Sequence, residues 1–465
     1  MLQPPDAGAP PAAPAGRHGA PLRALLALAW PIVISRSTQV VIGIADALMV
    51  AHLGAAELAA TTTGAMNAFA LFILPMGVVF VVASFSSQLT GARDPAGARR
   101  YGWYGLAVAA GAGAVSLGAI PAVPAALALA PYEPAVRGLM ADYLAIRLLS
   151  AVAVVGTEAL GNYYGGAGDT RPQMRASVAA MALNVSGNWL LIDGHLGAPA
   201  LGVRGAAIAS VLSSAIAFLG LFALFVRDGR RAGGPSPLRA RELLRLLRFG
   251  IPSGFNWFFE FLAFMFFVNI VVAGLGTAAL AAFMSVLQVN SFAFMPAFGL
   301  ASAGAILAGQ AIGAGRKDDV PRLAVLAFAV AGCWEVAAGL VYLTCPELIL
   351  APFARDAGAA AAFLDAGRRM LMVSAAWQIF DAAASTLGEI LRAAGDTAFV
   401  LWLRIVIAWG IFAPGSWISV RTLGGGTGVT MLWLVIYLAL LAAALLVRFR
   451  RGAWRRIALV EPAPI

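Results

Sequence analysis

Twelve stretches of this chain run apolar for about 20 residues or more, the length that carries an α-helix across a bilayer. They fall near 22–50, 57–89, 101–129, 139–165, 173–193, 203–226, 246–273, 278–311, 321–345, 366–392, 397–420 and 428–448. In lipid only a helix or a closed barrel satisfies its own backbone, and runs this long are helical. The expected fold is an all-α integral membrane protein with twelve transmembrane helices. Composition agrees: charged residues are 12% and hydrophobic residues 61% of the chain, against roughly 25% charged in a soluble domain. Pro31, Pro75, Pro252 and Pro296 fall inside spans, where packed neighbours tolerate a kink.

The spans repeat. LGAAELAA at 53–60 returns as LGTAALAA at 275–282, and Pro31 and Pro75 return as Pro252 and Pro296. Gln88-Leu-Thr-Gly91 returns as Gln310-Ala-Ile-Gly313, and Gly168-Asp-Thr170 as Gly395-Asp-Thr397. Two copies of six spans in the same orientation predict two pseudo-symmetric lobes, an organisation found in alternating-access transporters. The domain plan is a disordered tail over 1–20, a first lobe over 21–226, a linker over 227–245, a second lobe over 246–448 and a basic tail over 449–465. The linker is marked by RDGRRAGGPSPLRARE at 227–242, with Gly-Gly, two prolines and five arginines. Most basic residues gather on one side, in the turns at 93–100, 171–175 and 316–322, the 227–248 segment, Arg392 and the 448–456 tail. The positive-inside rule puts that side, with both termini, in the cytoplasm.

Several chemistries are excluded. Cys333 and Cys345 share one apolar stretch without a CxxC and read as buried thiols. His18, His52 and His195 are scattered, so no zinc, haem or iron–sulfur ligand set arises. No GxxxxGK[ST] loop occurs, so ATP is not the direct fuel. Residues 1–20 lack the basic start and apolar core of a signal peptide. A membrane prenyl transferase would want an acid-rich metal loop, yet the adjacent acids Asp318 and Asp319 sit in a charged turn. No cofactor and no enzyme activity is expected.

Three segments carry a resemblance to a family. LALAWPIVISRSTQVVIGIADALMVAHLGAAELAA opens the first span, NVSGNWLLIDGHLGAPALGVRGAAIAS fills 184–210, and FDAAASTLGEILRAAGDT fills 380–397. Together they resemble the multidrug and toxic compound extrusion (MATE) family over about 21–450, with the 184–210 stretch the most specific. Acids in the second half at Glu260 and Asp381 point to its NorM-like bacterial branch. The resemblance implies two six-helix lobes around a central cleft, in a bacterial inner membrane. It implies a monomeric antiporter that expels organic cations or amphipathic drugs in exchange for inward Na⁺ or H⁺, with the lipid bilayer and no nucleic acid as partner. His52, Ala393 and the pair Tyr163 and Tyr164 depart from the family pattern.

An ionisable side chain inside a span is expensive and marks a candidate site. Asp46 lies deep in the first span, either paired with Arg36 or part of a cation or proton site. Asn184 and Asn188 share a helix face and would complete an oxygen set suited to Na⁺. Glu260 follows Trp257, Phe258 and Phe259, and Asp381 follows Trp377. Aromatic faces attract organic cations, and the two acids would form a second Na⁺ or H⁺ site. Glu389 shares the Asp381 face. Arg404 either pairs with a carboxylate near the cleft or snorkels to an interface. Glu158 and Glu335 are further acids without an assigned role, while Glu57, Asp169 and Asp396 are expected to cap helices or face water. A lipid-precursor flippase is the alternative reading, but the intramembrane acids outnumber the bases, which favours cationic cargo.

Overall fold

The computed structural model describes residues 20–231, 237–353 and 360–460. The expected tail at 1–19, the linker centre around Ser236 and the last residues 461–465 lie outside these. Among the described residues the chain is helical, without strands. The first lobe comprises α1 (Ala20–Val50), α2 (Ala55–Gly91), α3 (Pro95–Ala128), α4 (Pro134–Leu148 and Ala151–Gly166, bent by 48°), α5 (Arg171–Ile192) and α6 (Val203–Arg231). The second comprises α7 (Ala240–Leu275), α8 (Thr277–Gly313), α9 (Val320–Thr344), α10 (Ala360–Ala393), α11 (Thr397–Arg421) and α12 (Thr427–Arg450). All but α5 are long and apolar enough to span, counting the bent α4 as one. In α5 the polar Arg175, Asn184, Ser186 and Asn188 dilute the apolar run.

The repeat is visible in the backbone. Gly168 and Gly395 adopt φ of 94° and 92° and close α4 and α10 in the same way. Only glycine enters that region without strain, which explains why both copies keep Gly-Asp-Thr. Proline opens α3, α4 and α5 near their first turns, where its missing N–H costs nothing. Asp94 caps α3 by accepting from the Gly97 N–H at 2.7 Å.

The lobes meet along two quasi-equivalent pairs, α1 on α8 and α2 on α7. Glycines allow the close approach: Gly299 lies under Val33, and Gly77 under Gly254. Near the face that carries the helix ends Gly91 and Gly313, α2 also crosses α8. Gly91 lies against the Gln310 carbonyl and Gly313 against the Gln88 carbonyl. There the Gln88 side chain donates to the Ala393 carbonyl (2.7 Å), and Gln310 donates to the Gly166 carbonyl (3.3 Å). Each lobe thus grips the end of the other lobe's fourth helix.

Four expectations change. α6 runs to Arg231 and α7 starts at Ala240, so the ends of the 227–245 linker are helical. The 449–465 tail is folded as far as it is described: Trp454 and Leu459 are buried, and Arg245 donates to the carbonyls of Ala458 and Leu459, both at 2.6 Å. Lys317 holds the Arg455 carbonyl at 2.7 Å. Cys333 and Cys345 are exposed, not buried, the first on α9 and the second just past its end. Asp396 is buried, with Arg448 donating to it at 2.8 and 3.1 Å, because α12 passes beside the turn that follows α10.

Candidate functional site

A cavity of about 500 Å³ opens inside the second lobe between α7, α8, α10, α11 and α12. Trp257, Trp377, Phe294, Phe298 and Phe412 supply aromatic walls, while Asn256, Asn290, Gln378 and Tyr437 supply polar groups. Of the acids and bases named from sequence, Glu260, Asp381, Glu389 and Arg404 line it together. Phe258 and Phe259 do not; they meet edge to face, with ring centroids 5.7 Å apart. A helix turns 100° per residue, so neighbours of Trp257 point elsewhere. Segments of π-helix at Phe267–Val272 in α7 and Val406–Phe412 in α11 locally widen the two helices that frame this side.

The charges pair in an order that decides what remains. Arg404 forms an ion pair with Glu260 across α11 and α7, so it does not snorkel. Arg392 forms one with Glu389 on the next turn of α10. The sequence sets Arg392 among the basic residues of the cytoplasmic side; the structure buries it in the lobe interface. Its guanidinium carbon lies 3.8 Å from the ring centroid of Phe80, which belongs to the first lobe. After both pairs form, Asp381 is the acid of the cavity left without an ion pair of its own among the described residues. Asn256 Oδ1, Arg404 Nε and Tyr437 OH are buried there without a hydrogen-bond partner, the condition in which a polar group welcomes a ligand. Asn290 and Gln378 bond to each other at 2.8 Å and brace α8 on α10; as uncharged amides they gave no sequence signal.

The first lobe holds a smaller polar cluster. Asp46 and Asn188 are buried, and the Asn188 amide N–H donates to Asp46 Oδ1 at 2.5 Å. Asn184 donates to Ser210 Oγ at 3.1 Å. The three residues meet, with the Asn188 NH₂ facing the carboxylate and its Oδ1 buried without a hydrogen-bond partner. Arg36 is not the partner of Asp46. It donates to Glu158 at 2.6 Å and faces Phe80 at 5.5 Å, so one aromatic ring of the interface lies between a guanidinium from each lobe. The departures from the family pattern are also placed: His52 meets Asp193 at 2.7 Å, Tyr164 donates to Asp228 at 2.9 Å, and the Ala393 carbonyl receives Gln88.

The family model MatE matches residues 31–190 and 252–418, one segment per lobe. The chain belongs to the MatE family. A probable multidrug resistance protein NorM of Pseudomonas putida is 28% identical over 96% of this chain and 98% of its own. One of the same description from Rhizobium meliloti is 28% identical over 95% of each. Two solved structures share the fold. A multidrug resistance MATE family transporter in an outward-facing conformation superposes with TM-score 0.84 at 22% identity, covering 94% of this chain and 97% of that one. A MOP superfamily transporter from Pyrococcus furiosus, described as having a binding pocket of reverse polarity, superposes with TM-score 0.83 at 21% identity over the same shares.

Proposed function

We propose that this MatE-family membrane protein is a secondary active antiporter that exports organic cations or amphipathic drugs from the cytoplasm in exchange for an inward cation. The observation that carries this reading is the surplus acid of the second-lobe cavity. Glu260 and Glu389 each have an arginine, and Asp381 keeps its negative charge or a proton among aromatic faces. A cationic drug and a coupling ion would then compete for one carboxylate, which is the requirement for antiport through a shared site. H⁺ is the coupling ion of this reading, since the free oxygens at Asp381, Asn256 Oδ1 and the Tyr437 hydroxyl are few for a full shell around a hard cation. The anionic-cargo flippase reading loses support, since both cavity arginines are already neutralised. The hydrogen bonds from Gln88 and Gln310 support an outward-facing state, with the lobes shut on the side of both termini and that side cytoplasmic.

The test is ethidium transport into everted vesicles, the direction of cellular efflux, under imposed H⁺ or Na⁺ gradients. Efflux driven by a gradient, and lost in Asp381→Asn, is expected. Efflux in neither gradient, with the protein inserted, would sink the antiport reading.

A further inference from the structure

We propose that Glu335 of α9 is a second proton-carrying carboxyl of the transport cycle, handing its proton to and from Asp381 behind the cavity wall. The inference rests on the antiport reading above. Glu335 is fully buried, and neither carboxylate oxygen has a hydrogen-bond partner. It is not part of the cavity lining. Its helix packs on α10 with Gly332 beside Ile379 and Gly339 beside Ala375. Those contacts bracket Glu335 and set it behind the α10 stretch that presents Trp377, Gln378 and Asp381 to the cavity.

No neighbour neutralises it. α8, packed on α9, carries no charged residue. α10 brings Asp381, an acid that lines the cavity. α1 meets α9 through Leu25 and Leu28 against Ala327 and Ala331, and its Arg36 is held by Glu158. On α9 itself, Tyr342 donates its hydroxyl to the Val289 carbonyl at 3.3 Å. A bare carboxylate in this position would have no cation and no donor, so the resting group is the carboxylic acid. A permanently neutral filler needs no acid here, whereas a proton store beside a working carboxylate does.

The exchange balances simply. The O–H bond at Glu335 breaks and one forms at Asp381, with no change in total charge. An Asp381 made neutral no longer holds a cationic cargo, which is then released. Asp381 then hands that proton back to the ionised Glu335, and the Asp381 carboxylate left behind takes one from the side of higher H⁺ concentration, so both acids end neutral and one proton has entered. Cargo and proton are thus linked through two like-charged neighbours that cannot both stay ionised.

The experiment compares wild type and Glu335→Gln in proteoliposomes, using tetraphenylphosphonium as probe. Glu335→Gln is expected to bind the probe as wild type does and to exchange it across the membrane without a gradient. H⁺-driven efflux should fall at least tenfold, with a flattened pH profile. Wild-type H⁺-driven efflux and pH profile in Glu335→Gln overturn the proposal. If that variant does not reach the membrane, Glu335→Asp is read in the same assay. Slower efflux that stays H⁺-dependent is then expected, and efflux equal to wild type at every pH overturns the assignment. A wild-type protein with no gradient-driven efflux sinks the antiport reading as well, whereas an active wild type with an indifferent variant sinks this inference alone.

Discussion

Arg404 of α11 closes on Glu260 of α7, so one of the two acids that face each other across the second lobe is already satisfied by the protein. Asp381 is left to meet whatever enters. The sharing of charge between two acids, expected from their positions alone, is here performed by a guanidinium.

Removing that guanidinium should release a second carboxylate. Arg404→Gln is expected to tighten tetraphenylphosphonium binding and slow its release, whereas Glu260→Gln and Asp381→Asn each reduce gradient-driven efflux at least tenfold. Arg404→Gln combined with Glu260→Gln should be milder than the two losses added, with a coupling of about 0.5–3 kcal/mol for groups in direct contact. Strict additivity in vesicle efflux rates would show that the pair does not act on transport.

Asp46→Asn should abolish coupled export while leaving insertion intact. The buried acid holds the Asn188 amide, and its neutral amide analogue cannot carry a proton. Export at the wild-type rate by correctly inserted protein would remove the first lobe from the coupling mechanism.

Gln88→Ala and Gln310→Ala each delete one hydrogen bond between the lobes, worth about 1 kcal/mol. Together they should shift the closed-to-open ratio on that face by roughly thirtyfold, as separate sites add. A cysteine placed at Ser84, which lines a small cavity at the interface, reports this by faster labelling with an impermeant maleimide. Unchanged labelling in the double variant counts against the lock. Gly91→Leu should open the same face more strongly, because any side chain there runs into the Gln310 carbonyl.

Glu389→Gln leaves Arg392 buried against Phe80 without its counter-charge. Breaking such a pair costs about 3–5 kcal/mol. A lower thermal midpoint in detergent is expected, with Glu389→Gln plus Arg392→Gln recovering part of it. A midpoint equal to wild type would mean that the pair contributes nothing to the closed state.

Ser236 should be labelled only from the cytoplasmic side once replaced by cysteine. The flanking helices end in arginines at 230–231 and begin again at Ala240 beside Arg239 and Arg241. Labelling from outside in intact cells would invert the topology.

Spans and repeat were legible because lipid imposes a length on each helix and two copies share their landmarks. Gln88 and Gln310 stood out as a repeated pair, but their partners did not: each donates to a backbone carbonyl far away in sequence, and a carbonyl has no letter. Asp46, Asn184 and Asn188 were legible as a group, yet not which amide atom turns to the acid. Arg392 was misplaced because it sits at the end of an apolar run, where an arginine normally reaches water. Here the other lobe covers it. The cavity charge order required the depth at which α11 passes α7, and hydropathy does not encode depth to within one helical turn.

The folded tail also dictates an order of assembly. Leu459 completes a cluster otherwise built from residues such as Phe85, Tyr101, Val155 and Leu246, which emerge from the ribosome long before it. The first lobe must therefore wait in the membrane with a gap in its lower core until nearly the whole chain is made. Lys317 and Arg245 then receive the arriving backbone. A nascent chain stalled shortly before residue 459 would hold all twelve helices and still lack the last side chain of that cluster.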